Sequence, residues 1–234
     1  MICKIMYDIS IRPRLLWFAE RVRNGVMFAD IGTDHAKLPV YLIKKGKINK
    51  AIASDIGEGP IARARTYIAL NGLSQKIDTY IGDGIAHLDI DAPCDIAICG
   101  MGGETIINII EGASLVKNSN IRLMLQPMTD FTMLRKYLAD NGFFAVEEDI
   151  VESDGRMYQC MIVEYRGTPY TLTDSEAELG KKCIENRSDT FIKYVKRRYN
   201  IVKKCADGKA IAGIDAKEEV ELLAQYNKIL KGEI

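Results

Sequence analysis

The 234-residue chain has no apolar run near the roughly 20 residues that a membrane helix requires. Its first residues, with Lys4, Asp8, Arg12 and Arg14, lack the apolar core of a secretion signal. Both gaps point to a cytoplasmic protein with no membrane partner. Histidine is scarce, two residues in all, and the six cysteines (Cys3, Cys94, Cys99, Cys160, Cys183, Cys205) form no CxxC pair and have no histidine at zinc-ligand spacing. No metal is expected, and the thiols read as reduced, mostly buried small side chains. The pyrophosphate-binding pattern GxGxxG is missing as well, which argues against a nicotinamide-dependent oxidoreductase. Net charge is zero, but unevenly so: residues 1–165 carry 18 Lys and Arg against 21 Asp and Glu, and residues 166–234 carry 14 against 11. The tail is the basic part, with nine cations between Lys181 and Lys204 against Glu185 and Asp189.

What is present is a 47% hydrophobic chain with a βα rhythm. From Val26 to Glu164, short runs of Val, Ile and Ala alternate with longer amphipathic segments, the pattern of a mostly parallel sheet. The expected strands are Val26–Asp30, Ala51–Asp55, Ile77–Ile81, Asp95–Cys99, Arg122–Gln126, Phe143–Glu148 and Met157–Tyr165. Pro39 and Pro60 fall in first helical turns, Gly72 and Gly142 follow Asn at helix ends, and Asp130 is placed to cap the helix holding Leu134 and Leu138. The last two strands are separated by too few residues for a crossover helix, and Asp154-Gly155 between them suits an antiparallel turn. Past Gly167-Thr168-Pro169 the pattern becomes helical. Thr173 with Glu176 makes a capping box, and Ile192, Val195, Tyr199 and Val202 form a narrow apolar seam. A break at Asp207-Gly208 and Gly213 precedes a second box, Asp215 with Glu218, and a stretch with Val220, Leu223, Tyr226 and Leu230. The expected class is α/β: a Rossmann-like, mostly parallel sheet ending in an antiparallel hairpin over residues 1–166, then a C-terminal helical hairpin of coiled-coil type over 167–234.

Four loops at the carboxyl ends of the strands carry the chemistry. FADIGTDHA, Phe28 to Ala36, sets Asp30 and Gly32 where a strand gives way to a helix, with Thr33, Asp34 and His35 following. That is a nucleotide-type crevice or, more blandly, a strand–helix turn. Asp34 serves equally as a helix cap. His35, just inside a helix start, suits a structural or ligand-orienting role better than proton transfer. Asp55, followed by Ile56, ends the second strand, where a carboxylate accepts two hydrogen bonds from a ribose diol or caps the next helix. Gly82-Asp83-Gly84 follows the third strand, and there Asp83 faces an adenine amine or makes a common turn. Gly100-Met101-Gly102-Gly103 ends the fourth, a loop where side chains would obstruct a ligand. Three acidic loops after three consecutive strands are less expected by chance than any one of them.

DIGTDHAKLP (Asp30–Pro39), SDI with GP (Ser54–Ile56, Gly59-Pro60), GDG (Gly82–Gly84), GMGG (Gly100–Gly103) and LQP (Leu125–Pro127) together resemble the bacterial tRNA (adenine-22-N1)-methyltransferase family, TrmK type. The likeness covers roughly Arg14 to Glu164 and, more weakly, the helical tail. It implies a class I methyltransferase that uses S-adenosylmethionine and releases S-adenosylhomocysteine. Asp30, Gly32, Thr33, Asp34 and His35 would surround the methionine part, Asp55 and Ile56 the ribose side, and Gly82, Asp83 and Gly84 the adenine, with Gly100 closing the cofactor site. Gly100, Met101, Gly102, Gly103, Gln126 and Pro127 would line the target-base pocket. Two positions depart from the family pattern. Lys37 stands where an aromatic residue is usual, and Met128 stands where Asn is usual, so no side chain there hydrogen-bonds a base edge.

The implied reaction is in-line attack by the N1 lone pair of adenine, which needs no obligatory acid or base; orientation and exclusion of water supply the acceleration. Base pairing hides N1, so the nucleotide must be unpaired or flipped. The partner is tRNA, whose phosphates require cations: Arg12, Arg14, Arg21 and Arg23 near the start, and Lys193, Lys196, Arg197 and Arg198 in the tail. A monomer or weak homodimer is expected. The alternatives are methyl transfer to a small molecule or protein, and a non-catalytic tRNA-binding protein with a vestigial cofactor crevice.

Overall fold

The computed structural model describes residues 10–88, 90 and 93–233; Cys3, Lys4 and Asp8 lie outside them. The chain runs α1 (Pro13–Arg21), β1 (Met27–Ile31), α2 (Lys37–Lys44), β2 (Ala51–Asp55), α3 (Glu58–Leu70), β3 (Ile77–Ile81), β4 (Cys94–Met101), α4 (Gly103–Glu111), β5 (Ile121–Pro127), α5 (Phe131–Asp140), β6 (Phe143–Ser153) and β7 (Arg156–Tyr165). Four helices follow: α6 (Asp174–Leu179), α7 (Lys181–Asn186), α8 (Asp189–Ile211) and α9 (Lys217–Lys231). The strands form one seven-stranded sheet in the order β3-β2-β1-β4-β5-β7-β6. β1 pairs in parallel with β2 and β4, and β2 with β3, whereas β6 and β7 are antiparallel. All seven expected strands form, each within a few residues of its expected limits. The order reverses between β1 and β4, and at such a switch point the loops diverge and leave a crevice outside the carboxyl ends.

The chain divides into two compact units. The first holds everything up to Gly100 together with Asn108–Met124. Its strands are apolar because helices cover them: Phe28, Ala29, Ala51–Ala53 and Ile96–Ile98 are buried, as are Leu38, Val40, Leu42 and Ile43 of α2. Helix α1, which the residue pattern did not announce, starts with Pro13 at its first position and buries Trp17, Phe18 and Ala19. Arg23 is not a free surface cation. Its Nε donates to Oδ1 of the fully buried Asp95 at 2.8 Å, its backbone NH to Oδ2 at 2.7 Å, and its Nη2 to the carbonyls of Cys94 and Asn120. A charge bound into the base of the sheet in this way leaves the set available to RNA.

The second unit holds Met101–Ile107 and the chain from Leu125 onward. β6 and β7 extend to within two residues of each other, joined by Asp154 (φ 53°) and Gly155 (φ 72°). Positive φ at both turn positions is the hairpin geometry whose twist matches the strands. In α5, Arg135 donates through Nε to Glu148 of β6 at 2.7 Å, with side chains 4% and 1% exposed. The guanidinium continues to the carbonyls of Ala177 and Glu178, and Glu148 also accepts the backbone NH of Lys182. One buried ion pair thus holds α6 and α7 against α5 and β6.

The Thr173–Glu176 capping box forms in both directions at the start of α6. Helices α8 and α9 pack as a pair, with Phe191, Val195, Tyr226 and Ile229 buried and Ile192, Tyr199, Leu223 and Leu230 packed against them. Three local expectations need correction. α8 runs straight through Asp207-Gly208, because one helical glycine costs only about 1 kcal/mol and Val202 and Ala206 are buried on the same helix. The Asp215–Glu218 box does not form: Ala216 occupies the cap position, and Asp215 accepts from the NH of Lys217 instead. Asp130 stands at the cap of α5 in the left-handed region, but its carboxylate accepts from Thr129 Oγ1 and not from the helix. Among the described residues no helix is long and apolar enough to cross a membrane. Cys94, Cys99, Cys160, Cys183 and Cys205 are free thiols, and only Cys205 is exposed.

Candidate functional site

The first unit contains a cavity of about 310 Å³ at the carboxyl ends of β1 and β4, a volume at the lower end of the range of small-molecule sites. Its floor is the turn after β1. Gly32 (φ +75°) lets the chain leave the strand, and its NH and that of Thr33 donate to the Ser54 carbonyl at 2.7 and 3.0 Å. Thr33 is buried, and its hydroxyl accepts the NH of Ala36 at 2.9 Å. Ala36 is the cap of α2 and holds a left-handed φ of 49°, a conformation an L-residue rarely adopts. The same edge continues outward, since Gly82 NH donates to the Asp55 carbonyl at 3.1 Å. The loops after β1 and β3 are therefore both tied to the end of β2 by backbone hydrogen bonds.

The cavity wall is charged with both signs. Asp30 is the inner acid: burial pushes its carboxyl up to about 6, a hydrogen bond from Thr33 and the charge of Arg14 oppose the rise, and the charge of Asp55 adds to it. Arg12, Arg14 and Lys37 supply the cations of the lining, and Leu15, Leu38 and Cys99 its apolar part. Burial, with repulsion from Asp30, raises the Cys99 thiol far above the ordinary thiol range, so it supplies no thiolate. Asp34 lies at the exposed rim. Its Oδ1 accepts from Arg63 Nε and Nη2 at 3.0 and 2.6 Å, its Oδ2 lies 3.0 Å from His35 Nε2, and the Arg63 hydrogen bonds hold the carboxyl below the usual carboxylate range.

Of the residues singled out in the sequence, Asp30, Gly32, Thr33, Asp34, His35 and Gly100 line this cavity. Asp55, Ile56, Gly82, Asp83 and Gly84 do not line it, though they follow the neighbouring strands β2 and β3. Asp55 Oδ1 accepts the NH of Gly57 at 2.8 Å, Asp83 is exposed, and a Cβ on Gly82 would fall 2.5 Å from the His87 ring. Asp34 caps no helix, and His35 precedes the cap of α2 instead of lying inside the helix. Arg14, expected on an RNA surface, lines the cavity, and so does Arg12. The signal that could have placed Arg14 there is Pro13, which starts a helix one residue earlier. Lys37 lines the cavity where the family pattern has an aromatic ring.

The remaining expected site residues belong to the second unit. Met128 NH donates to the Met101 carbonyl at 2.7 Å, so Met101–Gly103 and Gln126–Met128 run side by side. Gly103 has no room for a side chain, since a Cβ would stand 2.7 Å from the Asp130 carbonyl oxygen. Gln126 is fully buried, and its amide donates to the Pro127 carbonyl at 2.9 Å; it shapes the turn that presents the exposed Met128. On α8, Lys193, Lys196 and Arg197 are exposed, whereas Arg198 donates to Glu178 at 2.8 Å and Glu178 also accepts from Tyr226. Among the described residues no cluster of metal-ligating side chains occurs.

Residues 11–161 match the family model described as a methyltransferase domain. The chain is 34% identical over 159 residues to the tRNA (adenine(22)-N(1))-methyltransferase of Bacillus subtilis, covering 68% of this chain and 67% of that one. Its fold is similar to that of a Streptococcus pneumoniae relative solved with S-adenosyl-L-methionine (TM-score 0.81, 30% identity, 94% of this chain and 100% of that one). It is also similar to Mycoplasma capricolum TrmK solved with S-adenosyl-homocysteine (TM-score 0.75, 26% identity, 93% and 95% covered).

Proposed function

Because the chain belongs to the tRNA (adenine(22)-N(1))-methyltransferase family, we propose that it transfers the methyl group of S-adenosylmethionine to N1 of adenine 22 in tRNA, leaving S-adenosylhomocysteine. The observation that supports the reading is the cavity at the switch point, where the half-buried Asp30 shares the lining with Arg14. A small ligand bearing a cationic centre, an ammonium and a carboxylate matches that mixed lining, and its volume fits a partly enclosed nucleoside. When bound, this cofactor supplies an electrophilic methyl carbon.

The chain's own residues bind and orient. Asp30 meets positive charge, Arg14 meets the carboxylate, and Gly32 and Gly100 keep the approach open. Asp55 with Ile56 takes the ribose side, and Asp83, between Gly82 and Gly84, takes the adenine. Met101–Gly103 and the Gln126–Met128 turn receive the target base, with Gln126 acting as a positioning residue. N1 uses its own lone pair, so no residue need remove a proton; alignment and exclusion of water account for the acceleration, of which proximity supplies on the order of 7 to 11 kcal/mol. Residues 1–166 carry the reaction, and 167–234 present Lys193, Lys196 and Arg197 to phosphates. The protein works in the cytoplasm as a monomer or weak homodimer.

The test is incubation with methyl-labelled S-adenosylmethionine and total tRNA, followed by mapping of the labelled base. Label as 1-methyladenine at position 22 is the expected result. Label at another base, or tRNA that stays unlabelled, overturns the reading.

A further inference from the structure

The loop that follows β3, Gly82 to Leu88, carries an exposed histidine that the core does not call for. Ile85 and Leu88 are buried and anchor the loop from below. Backbone hydrogen bonds hold its two ends, Gly82 NH donating to the Asp55 carbonyl at 3.1 Å and Leu88 NH to the Ile85 carbonyl at 2.9 Å. His87 stands between those anchors, faces solvent, and folds back along the chain. Its Nδ1 lies 3.2 Å from the Asp83 carbonyl, four residues earlier, and its ring meets the Tyr80 ring of β3 edge-on, with centroids 6.5 Å apart. A carbonyl oxygen only accepts, so this hydrogen bond puts the proton on Nδ1. The imidazole also covers Gly82, where a Cβ would fall 2.5 Å from Nε2. Glycine at that position is what leaves room for the ring. Gly82, Asp83 and His87 all belong to the first unit.

We propose that His87 is a positioning residue for the adenine end of the cofactor: by holding the Asp83 carbonyl and packing on Gly82, it fixes the segment that aims the Asp83 carboxylate at the adenine 6-amino group. The inference rests on the functional reading above and adds to it a side chain that acts through Asp83. Asp83 stands between two glycines, of which Gly84 has a φ of +63°, and glycine backbone is conformationally permissive. An acceptor on such a segment has to be ordered before it can bind, and that ordering subtracts from affinity. A side chain bonded to a nearby backbone carbonyl supplies the order that a helix or a sheet ladder supplies elsewhere. His87 bonds the backbone of Asp83 and not its carboxylate, which is exposed. The group that would meet the ligand is therefore held in place without being consumed.

The test is calorimetric titration of the full-length protein with S-adenosylhomocysteine and with its purine analogue, in which hydrogen replaces the 6-amino group. His87→Ala is expected to raise the Kd for S-adenosylhomocysteine about fivefold, the equivalent of one net hydrogen bond. The Kd for the purine analogue should change by less than about twofold, because that ligand offers Asp83 no amine. His87→Asn, whose Nδ2 takes the place of Nδ1, should bind both ligands nearly as the parent does. Gly82→Ala displaces the ring and should reproduce the His87→Ala penalty, and the double variant should lose no more than either single one. An unchanged Kd for S-adenosylhomocysteine in His87→Ala overturns the proposal. So does an equal loss for both ligands, since a histidine that only stabilises the fold would weaken the two alike, and so do additive losses in the double variant. A parent protein that does not bind S-adenosylhomocysteine fails the functional reading first, and the role of His87 falls with it.

Discussion

Two carboxylates near arginines, Glu148 buried and Asp30 half-buried, stand in opposite settings. Glu148 is 1% exposed and fully engaged: Arg135 holds one oxygen at 2.7 Å, and the Lys182 NH donates to the other. Asp30 sits at a cavity of about 310 Å³ with Arg14 in the same lining, and burial outweighs that cation, so its carboxyl is pushed up to about 6. The same chemical pair is a structural bolt where Arg135 and Glu148 meet directly, and in the proposed ligand site it stands beside open space with an incompletely compensated charge. Desolvation without full compensation is costly to the empty protein, and it is that cost which a cationic ligand relieves.

The comparison can be broken most forcefully at the bolt. Arg135→Ala strands Glu148 in a dry interior and is expected to cost about 3 to 5 kcal/mol of stability, read as a large fall in denaturation midpoint. A loss under 1 kcal/mol would mean that the pair is not structural. Asp30→Asn should act in the reverse sense, weakening binding of S-adenosylmethionine by about ten- to a hundredfold while leaving the ligand-free protein as stable as the parent or more so. Calorimetric titration alongside thermal melts checks both halves.

The pH dependence sharpens the same contrast. The folded Asp30 value, about 6, lies above its ordinary 3.8, so between those limits the native state holds a proton that the unfolded chain has released. Stability is therefore lost as pH rises through that window, by at most about 3 kcal/mol at roughly 1.4 per unit, and Asn at position 30 removes that dependence. Cofactor affinity runs the other way, falling as pH drops below about 6 and the carboxyl is neutralised. A cofactor Kd that is flat from pH 5 to 8 would take Asp30 out of the site. The smallest expected effect is on the tail. Lys196→Glu with Arg197→Glu should lower tRNA affinity and reduce the salt slope by about 1 for each phosphate contact removed, with cofactor binding unchanged. Arg198→Glu, by contrast, should lower the melting temperature, because Glu178 loses its ion-pair partner and keeps only the Tyr226 hydroxyl beside a second carboxylate.

Those contrasts also mark what the residues disclosed unaided. The strands were legible because β1, β2 and β4 are short apolar runs bounded by turn residues, and Asp30, Gly32 and Gly100 were legible because parallel strands put their following loops on one edge. The chemistry of Arg14 and Arg23 was not. A cation in a linear sequence looks the same whether it faces phosphate, a cavity or a buried Asp95, and only the folded distance distinguishes them. Arg198 escaped for the same reason, since Glu178 is 20 residues away in the chain. The supposed break at Asp207-Gly208 failed for a different cause, local preference yielding to the apolar seam of a long helix. Asp55 and Asp83 occupy the expected strand ends without lining the cavity, so their proposed contacts rest on family likeness more than on geometry.

The position of β7 between β5 and β6 sets a timetable for synthesis. Every residue lining the cavity has been translated by Gly100, yet the strand that covers the flank of β5 is the last of the sheet to emerge, and it ends at Tyr165. Until then the nascent chain exposes an unpaired row of amide and carbonyl groups, a template for misassociation. Truncations ending before Arg156 should therefore aggregate even though their cavity-lining residues are all present, and the hairpin acts as the closing seam of the sheet.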